Sequence, residues 1–352
     1  MIKTKRHLWI LFDSITNSVF ESQVLEPILR NSTSKSHFKT TIFSFERNVA
    51  HARKKLLSLG LPENVSIELV PRMPFLGKPF LWPLALQLKK YLKKDIFKKI
   101  TARGAIAGFI ALIALKKIPN YTTKLIIQAR GLAAEEYNFS NNPLWKKPIK
   151  WLIYRSLKSI EKCVYSQNGK FFLIESVSNA LSEYLVKNFG AQEHKIYLAK
   201  DDIPPKIPKI QREKLKKEFR ANLKIPKRSK VYCYSGSAKP WQCAKETIKY
   251  FAKQLKKNPK STLMILSQDA TEFEKLLQKF SISKKNCRLL NVKPAELCKF
   301  LCAADFGILL RKPHIINWVS RPTKALEYAS AGLTIIHNGT INFVKSSPFF
   351  FS

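Results

Sequence analysis

Arg311, Thr323, Lys324 and Glu327 have types and spacing suited to holding a phosphorylated ligand. They stand in one stretch, 309–336, which reads LLRKPHIINWVSRPTKALEYASAGLTII. Phe306 to Leu310 is a short apolar run that fits a buried parallel strand. Arg311 then leaves the carboxyl edge of a sheet, where ligands bind in open α/β folds. Ser320, Pro322 and Thr323 are helix-start residues, and Gly332 is a helix-stop residue. The first helical turn offers unpaired backbone N–H groups and a partial positive charge, which attract phosphate. Lys324 adds a full charge there. Glu327 lies a turn further in, where its carboxylate could accept hydrogen bonds from two sugar hydroxyls. Leu333 to Ile336 returns as the next strand. The same pattern also fits a plain strand–helix–strand unit in which Lys324 and Glu327 are solvated.

Three other turns carry comparable groups. Val231 to Tyr234 reads as a strand, followed by the small-residue loop SGSAKPWQ at 235–242. Gly236, Ser237 and Lys239 in that loop suit a phosphate site before a helix. Arg103-Gly104 and Arg130-Gly131 each follow a predicted strand. Glycine permits a sharp turn there, and arginine offers a fork of donors to phosphate or sugar oxygens. Glu135 follows in QARGLAAEEY. Arg103, Arg130 and Glu135 are candidates for a second ligand, and surface salt bridges are the alternative.

The segment SRPTKALEYASAGLTII resembles the donor-binding segment of family-4 glycosyltransferases of the GT-B fold. PTK ahead of EY and a following AG-L are typical of bacterial envelope-polysaccharide enzymes. The resemblance implies a retaining transfer from a nucleotide-sugar to an envelope glycan or lipid-linked acceptor. It places Thr323 and Lys324 on the diphosphate and Glu327 on the ribose. YSGSAKPWQ resembles the first loop of the family's second domain, and the RG segment resembles an acceptor-side segment. NSVFESQV, after the first strand, resembles a loop-to-helix entry of the envelope enzymes. Two departures stand out. The family's usual donor-sugar glutamate, eight positions before Glu327, is Val319 here. The arginine and lysine that often hold the diphosphate after the glycine correspond to Ser237 and Cys243, which leaves Lys239 or Arg311 to supply the charge.

Around these residues, strands and helices alternate along the chain, so the sheets should be parallel and doubly wound. The expected fold is α/β and GT-B-like, with two Rossmann-like domains facing a cleft. The chain of 352 residues is long enough for both. Residues 1–202 read as the acceptor-side domain and 203–229 as a linker with a leading helix. Residues 230–352 read as the nucleotide-sugar domain. The proline-rich run Ile203 to Ile210 marks the linker. Strands are expected at 7–12, 38–45, 65–70, 96–102, 124–129, 171–175, 195–198, 231–234, 262–266, 287–290, 306–310 and 333–336, and helices at 178–189, with a Ser178 cap and a Gly190 stop, and at 294–303. The family's closing helices have no counterpart after Gly339, so a shortened, weakened enzyme or an inactive remnant is a further expectation. SSPFFFS reads as an arbitrary tail.

Lys+Arg 63 against Asp+Glu 24 gives a formal charge of +39. Such a charge attracts polyanions: nucleotide phosphates, anionic lipid or nucleic acid. A nucleic-acid binder lacks support, because there is no zinc-finger spacing, RNP-like run or basic arm. Pro79 to Lys94 is apolar first and basic after. Either it lays Phe80, Leu81 and Trp82 on an anionic membrane, or it packs on its own sheet with a solvated basic end. Six cysteines form no CxxC pair and read as reduced thiols. No signal peptide or spanning run is apparent, so a cytoplasmic protein, peripheral at most, is expected. No Asp-x-Asp triplet occurs, so no catalytic metal and no cofactor are expected, and no catalytic base can be named.

Overall fold

The computed structural model describes residues 5–17, 19–33, 38–116, 118, 123–139, 147–200, 203–238, 242–293 and 296–346. The chain forms two compact units, Met1–Asp202 and Ile203–Ser352. The first holds strands β1 (Lys5–Leu11), β2 (Phe38–Glu46), β3 (Val65–Pro71), β4 (Lys99–Arg103), β5 (Lys124–Ala129), β6 (Phe172–Ser176) and β7 (Ile196–Leu198). They form one sheet in the order β3-β2-β1-β4-β5-β6-β7, and every pairing is parallel. The second unit holds β8 (Val231–Ser235), β9 (Thr262–Leu266), β10 (Cys287–Leu290), β11 (Phe306–Leu309) and β12 (Thr334–His337). Their order is β10-β9-β8-β11-β12, again all parallel. Both sheets are Rossmann-like. Each reverses its winding beside its first strand, between β1 and β4 and between β8 and β11. Ligands bind outside the carboxyl ends of the strands at such reversals.

The second sheet is buried on both faces. Val231 and Cys233 of β8 point into one apolar cluster with Tyr328 and Leu309. Tyr232 and Tyr234 point into the opposite cluster with Ile248, Phe251 and Phe273. This alternation follows from the two-residue period of a strand. Near-continuous apolar runs, rather than alternating ones, mark such doubly covered strands.

Most predicted elements lie within a few residues of those observed. Ser178 accepts a hydrogen bond from Leu181 N and caps the helix Asn179–Phe189, which ends at Gly190 in the left-handed region. Three details differ. The fourth strand runs to Arg103, so this arginine is a buried strand residue rather than the start of a turn. The loop after β11 contains a short helix, Ile315–Trp318, whose start is capped by His314. The helix expected at 294–303 spans Leu297–Leu301. The proline-rich run expected as a linker is bonded to the second unit: Ile207 N donates to Ser330 O at 3.1 Å, and Ser330 Oγ to Pro205 O at 2.6 Å. Residues 347–352, most of the expected tail, lie outside the described residues.

Asp305 ties the second unit together at the start of β11. Its carboxylate accepts from Val231 N at 2.8 Å, Arg220 Nη2 at 2.8 Å and Lys216 Nζ at 2.9 Å. Burial opposes its charge, but the Val231 N–H and the two cations outweigh burial and hold the carboxyl below its ordinary range. A carboxylate with a depressed folded pKa stabilises fully above the unfolded value and loses that stabilisation as pH falls through the folded value. Asp305→Asn should therefore cost about 1.5–3 kcal/mol at pH 7. The gap should narrow below about pH 4, the unfolded Asp value. Urea denaturation of both proteins at pH 7 and pH 3 checks this, and a pH-independent gap would contradict it.

Candidate functional site

The second unit brings three polar side chains together at its winding reversal, beside Gly236 after β8: Gln242 further along that loop, Arg311 after β11, and Lys324. Lys324 is the second residue of the helix Thr323–Ser330, which starts after Pro322. Lys324 Nζ donates to Gln242 Oε1 at 3.0 Å and lies 4.4 Å from the centre of the Tyr234 ring. Lys324 is only 7% exposed and Arg311 6%. Arg311 Nη1 donates to Leu310 O at 2.9 Å and reaches Gln242 O at 3.4 Å. Among the described residues, no carboxylate lies within ion-pair distance of either cation.

Two neighbouring buried cations are costly to keep charged. Burial first, and the Arg311 charge second, hold the Lys324 ammonium well below the ordinary lysine range. Burial also lowers Arg311. An anion entering this pocket would reverse both effects.

Local sequence explains how the pocket is made. Gly236 has φ +132°, and a Cβ there would stand 2.8 Å from Lys324 Nζ. Glycine alone gives both the backbone angle and the room for the ammonium. Gly307 on β11 makes room for Tyr328, since a Cβ there would meet the ring at 2.3 Å. Tyr328 Oη accepts from Ser235 N at 2.9 Å and so fixes the helix to the end of β8. Asn338 and Thr340, after β12, hold the Arg311 carbonyl, with Asn338 Nδ2 donating at 2.6 Å and Thr340 Oγ1 at 3.1 Å.

The predicted donor-side residues fare differently. Gly236, Arg311 and Lys324 come together. Thr323 opens the helix, and Glu327 lies one turn on, half-buried. Ser237 lies in the same loop, its carbonyl accepting from Tyr234 Oη at 2.7 Å. Lys239 lies outside the described residues. Cys243 is buried in a left-handed conformation, and Val319 is 1% exposed. Neither offers a cationic or carboxylate group. Sequence reading missed Tyr234, Gln242 and Asn338.

In the first unit, Arg103 ends β4 and is buried, with Nη2 bonded to Gln23 Oε1. Its Nε is 4.0 Å from Asp13 Oδ2, after β1. Arg130 follows β5 on the same edge and is half-buried. Glu135 is held by Lys158 Nζ at 2.9 Å and by Tyr154 Oη at 3.1 Å. Burial works against the Lys158 charge, yet the bonds to Glu135 and Tyr184 prevail and raise its pKa.

No protein-family description matches the chain. No curated protein matches it in sequence. Solved structures do match in fold. WaaG, a glycosyltransferase involved in lipopolysaccharide biosynthesis, is 14% identical with TM-score 0.64, covering 96% of this chain and 82% of that one. HepE of Anabaena, solved in complex with UDP-glucose, is 12% identical with TM-score 0.64, covering 97% and 82%. UDP-GlcNAc 2-epimerase of Neisseria meningitidis, bound to UDP-GlcNAc, is 13% identical with TM-score 0.51, covering 94% and 82%. The fold is therefore that of the GT-B glycosyltransferases, two Rossmann-like parallel-sheet domains.

The buried ammonium yields a direct expectation for the ligand-free chain. Lys324→Met removes a desolvated charge but keeps an apolar stem, so it should stabilise by on the order of 1 kcal/mol at pH 7. The unfolded lysine keeps its proton to about pH 10.4, whereas the folded one releases it lower. Between those values the unfolded state binds more protons, so wild-type stability from this residue rises with pH. The advantage of Lys324→Met should shrink accordingly at pH 9.5. Urea denaturation at the two pH values measures it, and a variant less stable than wild type at both would refute the reading.

Proposed function

We propose that this chain is a retaining glycosyltransferase of the family-4 type, moving a sugar from a nucleotide-sugar to an envelope glycan or lipid-linked acceptor. The observation that carries it is the pair of buried cations, Lys324 and Arg311, beneath Gly236 and beside a helix start. A diphosphate is the anion such a pocket suits. Its negative charge grows as the glycosidic bond to the donor sugar breaks. Fixed donors aimed at that charge lower the barrier without reorganising during the reaction. Lys324, Arg311 and the first N–H groups of the helix at Thr323 supply this stabilisation. The chain has no Asp-x-Asp triplet, and the proposal assigns the leaving-group charge to these protein groups. Glu327 takes the ribose hydroxyls. Val319 leaves the donor sugar to be held by other residues. Arg103 and Arg130, on the ligand edge of the first sheet, serve the acceptor. HepE was solved with UDP-glucose, so a uridine nucleotide is the first donor to test.

The fold also carries an epimerase, and a fold alone does not fix a reaction. Release of UDP from a UDP-sugar only when a glycan acceptor is present would support transfer. Conversion to the 2-epimer without acceptor would replace it. For the binding step, Glu327→Ala should weaken UDP-glucose affinity by about 1–3 kcal/mol, the cost of lost charged hydrogen bonds. Unchanged affinity by calorimetry would remove Glu327 from the ribose site.

A peripheral place on the inner face of the membrane is part of the same proposal. Among the described residues, no helix is long and apolar enough to cross a membrane. The helix Trp82–Leu92 packs inward through Leu84, Ala85, Leu88 and Leu92. Leu81, expected at a lipid surface, is instead 1% exposed because it joins the core. Phe80, Trp82 and Leu86 remain exposed, as do Ile149, Trp151 and Leu152 on the helix Lys147–Tyr165. Lys78 N donates to Ser156 Oγ at 3.0 Å and links these two regions. Exposed large apolar groups among lysines suit an anionic interface. Liposome flotation should recover more protein with anionic than with neutral vesicles at low salt, and less after Trp151→Ser. Equal recovery with both vesicle types would exclude this surface.

A further inference from the structure

The first unit has a pocket of about 400 Å³ lined by Ser14, Thr16, Arg47, Asn48 and Arg72. It stands at the carboxyl ends of β1, β2 and β3, and neither Arg103 at the end of β4 nor Arg130 after β5 lines it. Register explains its charge. Glu46 pairs with Pro71 across β2 and β3, so the next residues, Arg47 and Arg72, emerge side by side. Arg72 N donates to Glu46 O at 2.9 Å, which continues the ladder to this point.

Arg72 is held in place by its own bonds. Its Nε donates to Phe45 O and its Nη2 to Phe12 O, both at 3.0 Å, and its guanidinium covers the Phe12 ring at 3.9 Å. Burial first, and Arg47 second, lower its pKa, while Asp13 and Glu46 act in the opposite sense. Glu46 does not neutralise the pair by contact. Its carboxylate is engaged by Ile15 N at 2.9 Å, Ser44 Oγ at 2.6 Å and the lining Ser14 Oγ at 2.5 Å. Among the described residues, no carboxylate lies within ion-pair distance of Arg47 or Arg72. Ser14 and Thr16 add hydroxyls 2.7 Å apart. Asn48 starts the nine-residue helix Val49–Leu57 at the rim, which adds a partial positive charge.

Two adjacent guanidiniums repel each other, and an anion between them removes the repulsion and gains charge-assisted hydrogen bonds. We propose that this pocket binds an oxyanion group, a phosphate ester or carboxylate, carried by the acceptor sugar. The word acceptor rests on the glycosyltransferase reading above; the oxyanion site does not. Arg47 would contact the oxyanion directly. Arg72, held by Phe12 O, Phe45 O and Met73 O, would present its remaining Nη N–H groups, and the Thr16 hydroxyl, whose proton is given to Ser14, would accept from a ring hydroxyl.

The test is calorimetric binding of glucose 6-phosphate, glucuronate and glucose to the full chain, with UDP-glucose titrated separately. One of the two anionic sugars should bind saturably and at least tenfold more tightly than glucose. The better of the two identifies the group as phosphate or carboxylate. Arg47→Gln, at an exposed position, should weaken that binding at least tenfold while UDP-glucose binding persists. Arg72→Gln should act likewise if circular dichroism shows it folded, and Arg47→Gln decides the matter if it does not. The same binding should survive in Lys324→Ala. Equal affinity for all three sugars, wild-type affinity in Arg47→Gln, or loss in Lys324→Ala would each overturn the proposal. Anionic-sugar binding without any UDP-glucose binding would instead sink the transferase reading and leave this site standing.

Discussion

The second unit is organised around a lysine ammonium buried without an ionic partner among the described residues. Lys324 enters the interior on the first turn of its helix, under Gly236 and against Tyr234. That placement works against folding, since a desolvated charge is among the most expensive groups to bury. The surrounding structure offsets it. Two glycines remove side chains that would collide with Lys324 and Tyr328. Tyr328 closes the helix against β8 through Ser235. Asn338 and Thr340 hold the Arg311 backbone from the next strand. The pocket is thus maintained by neutral groups, with no carboxylate within ion-pair distance of its cations among the described residues.

The same economy recurs in the first unit, where strand register sets two arginines side by side and Glu46 is engaged elsewhere. In both sheets the charged groups collect at carboxyl edges. Parallel strands make this natural, because successive strand ends open onto one side and share it. The overall charge of +39 is consistent with such unbalanced edges but does not locate them.

Much of the fold was legible in the sequence, because parallel strands buried on both faces leave apolar runs and their helices leave caps. Ser178 and Gly190 are a clear case, as their effects are local. Gly236, Arg311 and Lys324 were legible as a group through the PTK and small-residue loop patterns. Gln242 was not, because its role depends on Lys324, far along the chain, reaching back to it. Nothing local announced the bond from Asn338 to Arg311. Arg47 and Arg72 were invisible as a pair, since only the β2–β3 register makes them neighbours. The boundary at Arg103 was misplaced for a related reason. An arginine before glycine reads as a turn, yet pairing with Gln128 extends the strand through it.

The loop after β1 contains no glycine, and its shape is held from outside. Glu46 fastens Ile15 and Ser14, and Ser14 in turn binds Thr16. Glycine-rich loops are mobile when empty and lose conformational freedom when they close. A loop already clamped by a buried carboxylate has much less freedom to lose. Association at this edge should then resemble a key entering a cut lock, with encounter rate set by diffusion and charge rather than by waiting for the loop to order.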